Sequence, residues 1–365
     1  MGKARTNPDT MIILSTLLIL GIGVVMVFSA SAVLAFHDFG DSYYYLKRQL
    51  FFAALGLVAM YLTMNVDYWL WKRFAKIGLI SGFALLVIVL IPGVGVVRGG
   101  ARSWLGVASF GIQPSEFMKL ALIVFLAKVL SEDQKNIVHF IKGLLPALLL
   151  VGAAFGLIML QPDLGTGAVL VGSALLMIYT AGARISHLSY LALLGAAGFV
   201  GLIAMAPYRL QRITAFLDPW KDPLGAGYQA IQSLYAIGPG GLIGLGLGMS
   251  RQKYNYLPEP QTDFIFSIIA EELGFIGGTV VLLLFLLLIW RGMRTAITAP
   301  DTFGSLLALG IVGLIAVQVI INIGVVIGMF PVTGITLPLI SAGGSSLTLV
   351  LTAIGILLNI SRYAR

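Results

Sequence analysis

Charged side chains interrupt long apolar stretches of this sequence at a few points, and these are the side chains that could do chemistry. Asp163 lies in a Gln-Pro-Asp-Leu-Gly-Thr turn, and Asp263 directly precedes another apolar stretch. Glu116 and Lys119 are three residues apart, on one face of a helix, where they can form an ion pair. An ionised group in apolar surroundings is costly, so each of these residues is a candidate functional group.

A carboxylate at a half-dry interface suits the role of a general base, because desolvation raises its pKa. Asp263 is the strongest candidate, since it connects a long loop directly to an apolar segment. The alternative for Asp163 and Asp263 is a structural role as helix N-caps. For Glu116 and Lys119 the alternative is a purely structural ion pair.

Three further features have structural interpretations beside any functional one. Glu271 and Glu272 lie about two turns beyond Asp263, roughly 12 Å along a helix axis. We interpret them as hydrogen-bonded packing or partner-contact residues. Trp104 is either an interfacial anchor or a substrate contact, and the aromatic run at 43–45 is typical of a membrane interface.

The elements that must position these residues are membrane helices. Of the 365 residues, 59% are hydrophobic and 10% are charged, whereas a soluble domain carries about a quarter charged residues. This composition excludes a soluble enzyme and fits a helical membrane protein. The absence of cysteine excludes disulfides and thiolate sites, and three scattered histidines argue against zinc or haem. The net charge of +8 is explained by cationic loops facing anionic lipid, so we expect no nucleic-acid binding.

Apolar runs predict the number and place of the helices. They lie at about 11–36, 50–66, 77–97, 115–130, 143–161, 164–182, 188–206, 264–290, 304–330 and 347–361. We therefore predict an all-α polytopic membrane protein with about ten transmembrane helices, forming a single integral-membrane domain over 1–365. We expect the first run to be an uncleaved span, because it is longer than the apolar core of a signal peptide.

Positive charge predicts the orientation of these spans. With the N-terminus inside, the cytoplasmic segments hold Lys3, Arg5, Lys72, Arg73, Lys76, Lys128, Lys135, Lys142, Arg184, Arg291, Arg294, Arg362 and Arg365. The short outer loops hold only Lys47, Arg48, Arg98 and Arg102. The positive-inside rule therefore places both termini in the cytoplasm.

One large outer loop, about 207–262, joins the seventh and eighth spans. It contains a modestly apolar segment from Tyr228 to Ile237 that can form a short helix, followed by alternating glycines at 244, 246 and 248. Its aromatic residues and low charge argue against disorder, and we expect a packed, re-entrant or interfacial element. In a second outer loop, 98–114, the sequence predicts a helix start with Ser115 as N-cap.

The predicted topology places the candidate charges at one depth. Four of them fall at the outer ends of their helices: Glu116, Lys119, Asp163 and Asp263. In a transport pathway, charged residues would lie at several depths across the membrane. A shared depth near the outer surface favours a site that acts on something presented at the outer leaflet.

Several motifs together resemble one family. They are Arg-Ser-Trp at 102–104, Gln-Pro-Ser-Glu at 113–116, Gln-Pro-Asp-Leu-Gly-Thr at 161–166, Gln-Thr-Asp-Phe at 261–264 and the stretch from Asn322 to Ser346. The chain resembles the SEDS family (shape, elongation, division and sporulation), which contains FtsW, RodA and SpoVE, over nearly its whole length. The segments 65–69 and 258–266 look most like the sporulation and division branch.

The resemblance implies a peptidoglycan glycosyltransferase in the bacterial cell membrane, with its active site facing outward. The implied substrate is lipid II, a disaccharide-pentapeptide on undecaprenyl pyrophosphate. Asp263 matches the aspartate regarded as catalytic in the family. The implied partners are a class B penicillin-binding protein, which is a transpeptidase, and other division or sporulation proteins.

In the implied reaction Asp263 acts as general base for the acceptor 4-hydroxyl, and a single displacement inverts an α-linked donor to a β-1,4 glycan. Cations must neutralise the departing pyrophosphate. We expect Arg102, Lys119 and Arg251 in that role, with Arg48 and Arg209 as weaker candidates. The expected substrate-binding residues are thus Arg102, Trp104, Glu116, Lys119, Asp163, Arg251 and Thr262. The family also implies a divalent cation, Mg²⁺ or Mn²⁺, although the sequence shows no metal-ligand spacing.

Two other functions are compatible with the same spans. A lipid II flippase or other transporter would need headgroup-binding cations in a cavity that opens inward. A non-catalytic scaffold of the division or spore-wall machinery would not need Asp263. The common depth of the charges and the family resemblance favour the polymerase.

Overall fold

The computed structural model describes residues 6–98, 101–107, 110–134, 136–204, 214–254 and 256–364. Its helices are α1 (Thr10–Phe39), α2 (Tyr44–Asn65), α3 (Tyr68–Ile88), α4 (Pro114–Glu132), α5 (Leu145–Met159), α6 (Leu164–Thr180), α7 (Ile185–Ala204), α8 (Tyr228–Gly240), α9 (Ile265–Thr298), α10 (Thr302–Val326) and α11 (Gly344–Ser361). A π-helical turn, Phe140–Leu144, precedes α5, and a 3-10 turn, Pro219–Lys221, lies between α7 and α8.

Each predicted apolar run overlaps one of these helices, so the all-α class is confirmed. Among the described residues, six helical segments are long and apolar enough to cross a membrane: α1, α2, Phe140–Met159, α9, α10 and α11. α6 and the first part of α7 are shorter apolar helices. The number of spans and their orientation stay predictions. The short helix predicted within the large loop is present as α8.

Local sequence explains where several helices begin. Asp9 and Asp163 cap α1 and α6, each accepting hydrogen bonds from backbone N–H groups of the first turn. The prediction that Ser115 caps α4 was wrong, because Gln113 is the N-cap residue and Pro114 occupies the first turn. Proline suits that position, since its missing N–H has no helical partner there.

A small antiparallel sheet, which the sequence did not predict, precedes α4. Its strands are β1 (Val96–Arg98), β2 (Ala101–Val107) and β3 (Phe110–Ile112), in the order β1-β2-β3. Val97 pairs with Arg102, and Leu105 pairs with Ile112. The sheet therefore places Arg102 and Trp104 on its central strand.

α10 and α11 form the centre of the bundle and are largely buried. α10 packs against α4, α6 and α9, and α2 packs along α11. The elements that carry Glu116, Asp163 and Asp263 thus share α10 as a neighbour. We call the end of the bundle where α4, α6 and α9 begin the Asp263 end, and the other the Asn359 end.

Polar contacts fasten the Asn359 end. The buried Asn359 donates from Nδ2 to the carbonyl of Met64 (2.8 Å) and accepts from the backbone N–H of Tyr68 (2.9 Å). The Tyr363 hydroxyl donates to Asp67 (2.5 Å). These bonds join the end of α11 to the connection between α2 and α3.

Candidate functional site

The start of α9 is held in place by the segment between α10 and α11. Asn322 of α10 donates from Nδ2 to the carbonyl of Asp263 (2.8 Å) and to that of Ile335 (2.7 Å). The Ser341 hydroxyl donates to the carbonyl of Thr262 (2.6 Å). The main chain at Asp263 is therefore fixed from two sides, which leaves its side chain to be presented in a defined direction.

The carboxylate of Asp263 itself is not engaged. No hydrogen bond or ion pair to it occurs within the described ranges, and the side chain is partly exposed. Gly334, which has a positive φ of 72°, faces the carboxylate of Asp263. A Cβ atom added at Gly334 would lie 3.6 Å from Asp263 Oδ2. Burial raises the pKa of Asp263 to about 7, with smaller contributions from the negative charges of Glu259 and Asp163. A desolvated, unpartnered carboxylate of this kind can accept a proton at neutral pH.

Asp163 caps α6 and is tied to α4. Its Oδ1 accepts from the Thr166 N–H (3.0 Å), and its Oδ2 accepts from Gln113 Nε2 (3.0 Å). Burial raises the pKa of Asp163, although the bonds from Thr166 act in the opposite direction. The cap role considered for this residue is confirmed. Its negative charge also contributes to the raised pKa of Asp263.

Glu116 and Lys119 form the predicted ion pair. Lys119 Nζ lies 2.7 Å from Glu116 Oε1, and both side chains are buried. Lys119 also donates to Gln318 Oε1 (3.2 Å), and Gln318 Nε2 donates to the carbonyl of Thr336 (3.0 Å). The pair is thus linked through α10 to the same segment that faces Asp263.

Sequence reasoning missed Gln318 and Asn322 as organisers of the site. They lie four residues apart on α10, on one helical face, and both are buried. Two carboxamides at this spacing in an apolar helix are a signal that could have been recognised. Through Thr336 and Ile335, the two carboxamides hold the segment 327–343, which connects α10 to α11 and carries no charged residue. This segment links Asp263 to the ion pair.

Four further predicted residues lie beside Asp263 or on other elements. Thr262 adjoins Asp263 and donates its hydroxyl to Glu259 Oε2 (3.1 Å). Arg102 and Trp104 lie on β2, and Arg251 is exposed in the large loop. Within the described part of the chain, no ion pair connects Arg102 or Arg251 to Asp263 or Asp163. The weaker candidate Arg48 lies over the Phe52 ring, and Arg209 lies outside the described residues.

Several buried polar atoms around these elements lack a partner. Among the described residues they include both polar atoms of Gln161, Gln261 Oε1, Asn322 Oδ1, Thr333 Oγ1 and Ser346 Oγ. Buried polar groups are normally hydrogen-bonded, to protein or to ordered water. The Asp263 end therefore carries polar groups in excess of its internal partners, which is typical of a site that takes up water or polar ligand groups.

The described residues do not form an all-protein metal cage. Where placement is described, no group of three or more His, Cys, Asp or Glu side chains comes close enough to hold an ion. The residues present therefore do not fit a metal site built by the protein alone. The expected Mg²⁺ or Mn²⁺ stays a prediction.

Glu271 and Glu272 are buried and engaged, as the packing interpretation predicted. Glu271 accepts from the Ser250 hydroxyl (2.5 Å) and from the Arg251 N–H (2.8 Å). Glu272 accepts from Lys253 Nζ (3.1 Å). This network binds the large loop to α9 and leaves neither carboxylate free for substrate.

Fold and site together define a helical membrane protein with an unengaged carboxylate where one helix begins. The chain matches the family model described as a cell cycle protein, that of FtsW, RodA and SpoVE, over residues 9–365. It belongs to the FtsW/RodA/SpoVE family, which is the SEDS family predicted from its motifs.

Named relatives cover nearly the whole chain. It is 62% identical over 365 residues to Stage V sporulation protein E of Bacillus subtilis, with 100% of both chains covered. It is 46% identical over 353 residues to a Trichlorobacter lovleyi protein named "Probable peptidoglycan glycosyltransferase FtsW", covering 97% of this chain and 93% of the relative.

Solved structures show the same fold. One chain of a peptidoglycan synthase complex superimposes with a TM-score of 0.80 at 32% identity, covering 97% of this chain and 98% of that one. The rod shape determining protein RodA of Thermus thermophilus superimposes with a TM-score of 0.71 at 31% identity, covering 97% of each chain.

Proposed function

We propose that this protein is a peptidoglycan glycosyltransferase that polymerises lipid II into β-1,4 glycan strands. The observation that carries the proposal is the carboxylate of Asp263, desolvated and without a hydrogen-bond partner in the described part of the chain. Relatives at 42–46% identity, named as probable peptidoglycan glycosyltransferases FtsW, support the same activity. The similarity to Stage V sporulation protein E supports a role for this polymerase in sporulation.

In the proposed mechanism Asp263 takes the proton of the acceptor 4-hydroxyl. The hydroxyl oxygen attacks the anomeric carbon of the donor sugar, and the bond from that carbon to the pyrophosphate oxygen breaks. One displacement inverts the anomeric centre, so no covalent enzyme intermediate is needed. A pKa of about 7 suits a base that must accept the proton and later release it at neutral pH.

The departing pyrophosphate needs positive charge. Arg102 and Arg251 are our candidates, because neither is held in an ion pair within the described segments. Lys119 is already neutralised by Glu116, so it would have to share its charge between two partners. A divalent cation, if used, would take most of its ligands from pyrophosphate and water, as Mg²⁺ commonly does.

We place the Asp263 end at the outer leaflet and both termini in the cytoplasm. The support is the distribution of positive charge: Arg291, Arg294 and Arg362 lie near the Asn359 end of α9 and α11. This orientation puts Asp263 where a lipid-linked disaccharide is available after translocation. The chain is accordingly a multi-pass membrane protein of the bacterial cell membrane.

The proposed protein partner is a class B penicillin-binding protein, together with other division or sporulation proteins. Its support is the superposition on one chain of a peptidoglycan synthase complex, which joins polymerisation to crosslinking. A transpeptidase held beside Asp263 would receive nascent strands directly.

The flippase alternative makes a different prediction about the product. Vesicles containing the purified protein and a class B transpeptidase are supplied with labelled lipid II, and both glycan chain length and lipid II translocation are measured. We expect glycan strands that grow with time. Translocation of intact lipid II without strands would contradict the proposed function and favour the flippase.

A further inference from the structure

α9 is interrupted at one residue, and another part of the chain fills the interruption. Gly274 has φ 68° and ψ −165°, which breaks the helical hydrogen-bond pattern. The N–H groups of Phe275 and Ile276 donate instead to the carbonyls of Gly241 and Leu242 (2.9 and 3.1 Å). The segment 241–249, which we call the glycine segment, therefore lies directly against the helix.

The exchange of hydrogen bonds works in both directions. The N–H groups of Leu245 and Gly246 donate to the carbonyls of Glu271 and Glu272 (2.9 and 3.0 Å). Polar backbone can lie at membrane depth only where protein groups satisfy it. These four bonds give both the broken helix and the glycine segment such partners.

Alternating glycines make this close approach possible. Gly244, Gly246 and Gly248 have φ values of 80°, 103° and 79°, which disfavour other residues. A Cβ atom at Gly244 would overlap the carbonyl group of Glu272. The alternation noted in the sequence thus serves a backbone contact.

Buried charge anchors the far end of the segment. Lys253 donates from Nζ to Glu272 (3.1 Å) and to the carbonyl of Gly248 (2.6 Å). Ser29 of α1 donates to the same carboxylate (2.6 Å). Because these groups are buried, the segment is fixed to the bundle.

Four of the five side chains of the glycine segment are exposed, and the fifth, Leu245, is half-buried. Leu242, Ile243, Leu247 and Met249 are 70%, 79%, 59% and 65% exposed, and no charged residue occurs between 241 and 250. On α9, Phe275 is also exposed, immediately beside Gly241. Together they form one apolar surface that is continuous with the exposed face of a membrane-spanning helix.

The position of this surface along α9 places it at membrane depth. Arg291, the first charged residue that follows Ile276 on the helix, lies fifteen positions after it. At 1.5 Å per residue this is about 22 Å, which is less than the hydrocarbon thickness of about 30 Å. The contacts of Ile276 with Leu242 therefore lie inside the leaflet at the Asp263 end.

We infer that the glycine segment is a re-entrant element that inserts Leu242, Ile243, Leu247 and Met249 among the acyl chains of that leaflet. Arg251, exposed just beyond the segment, then lies at the level of the lipid phosphates. The inserted segment ends fourteen positions before Asp263. The segment thereby holds the outer loop at the membrane surface, and this anchoring does not require the polymerisation reaction.

Single-cysteine labelling tests this inference, because the chain contains no native cysteine. Ile243→Cys and Leu247→Cys are labelled with a small fluorophore, and the full-length protein is reconstituted alone in phosphatidylcholine–phosphatidylglycerol vesicles. Quenching is measured with aqueous iodide and with nitroxide lipids labelled near the headgroup or deep in the chain. We expect strong quenching by the shallow nitroxide lipid and iodide quenching several-fold weaker than at an exposed control.

Two controls calibrate the measurement. Lys221→Cys, on an exposed turn of the same loop, reports water, and Leu283→Cys, exposed in the middle of α9, reports the deep bilayer. Iodide quenching at 243 and 247 equal to that at 221 would overturn the inference. Protection of both labels from iodide and from both nitroxide lipids would also overturn it, because a second protein copy would then cover the segment. Every labelled variant is first checked for monodispersity, so that misfolded protein is not measured.

Discussion

Among the single residues, Asp263 matters most, because the proposed polymerisation requires its carboxylate to be ionised. Its pKa of about 7 means that near neutral pH the carboxylate is only partly ionised. A general base must be ionised to act, so the rate of polymerisation should rise as pH increases through about 7 and then level off. The measurement is the initial rate of glycan formation at saturating lipid II between pH 5.5 and 9, about the range over which such a group titrates. A rate that is independent of pH across neutrality would contradict the assignment.

Glu259 provides a second test of the same property. Its negative charge is one cause of the raised pKa of Asp263, so Glu259→Gln should move the acid limb of the pH–rate profile to lower pH. Asp218→Asn, an exposed carboxylate of the same loop, is the matched control and should leave the limb in place. An unchanged limb in Glu259→Gln would show that another group controls the profile.

The buried ion pair makes a separate prediction. Glu116→Ala and Lys119→Ala should each reduce polymerisation and stability, because a lone buried charge costs about 3–5 kcal/mol. The charge-swapped double variant should recover part of both, measured as initial rate and as unfolding temperature. Asp41→Ala, which breaks an exposed pair with Lys47, should have little effect. No recovery in a folded double variant would assign the two residues individual roles.

At the scale of elements, the interrupted helix and the glycine segment depend on residues without a Cβ atom. Gly244→Ala should lower the free energy of unfolding by at least about 1–3 kcal/mol, since it combines a positive φ with an overlap against Glu272. Gly152→Ala, in the middle of α5 with open space around it, should be neutral or slightly stabilising. Thermal unfolding in detergent measures both variants, and equal stability would contradict the close packing.

The helices could be predicted from the sequence far better than their ends. The apolar runs overlap all six segments of the described residues that are long and apolar enough to cross a membrane. However, α2 begins at Tyr44 and α3 at Tyr68, before the predicted starts at 50 and 77. Polar and aromatic residues continue these helices beyond the apolar region, where hydrophobicity gives no signal. The sheet of β1–β3 was missed because its short strands are stabilised by pairing with each other rather than by a long alternating pattern.

At the scale of the whole molecule, the two ends of the bundle have separable roles. Asn359→Leu removes two buried hydrogen bonds at the end away from Asp263. It should lower the free energy of unfolding by about 1–3 kcal/mol, because the buried N–H of Tyr68 loses its partner, whereas the Met64 carbonyl still accepts from Arg362 (3.4 Å). The polymerisation rate per folded molecule should stay close to wild type. Thr298→Ala, a partly exposed residue near the same end whose hydroxyl donates to the carbonyl of Arg294 within α9, is the control for stability.

The grouping of the site residues was only partly predictable. The sequence predicted that Glu116, Lys119, Asp163 and Asp263 lie at one depth. In the structure, these four residues interact electrostatically at the Asp263 end. The spacing of the two carboxamides on α10 is visible in the sequence, but their partners are not, because Lys119 and the carbonyls of Asp263, Ile335 and Thr336 lie on other elements. Long-range contacts of this kind depend on how helices pack, and no local pattern specifies them.

The role of Asp263 as the base is tested by polymerisation of labelled lipid II by Asp263→Asn, beside wild type and Asp218→Asn, each with the same class B transpeptidase. Asparagine keeps the size of the side chain and removes its ability to take a proton. We predict that wild type and Asp218→Asn form glycan strands, while Asp263→Asn is slower by about 10²-fold or more at equal folded yield. Strand formation by Asp263→Asn at the wild-type rate would contradict the assignment of Asp263 as the base.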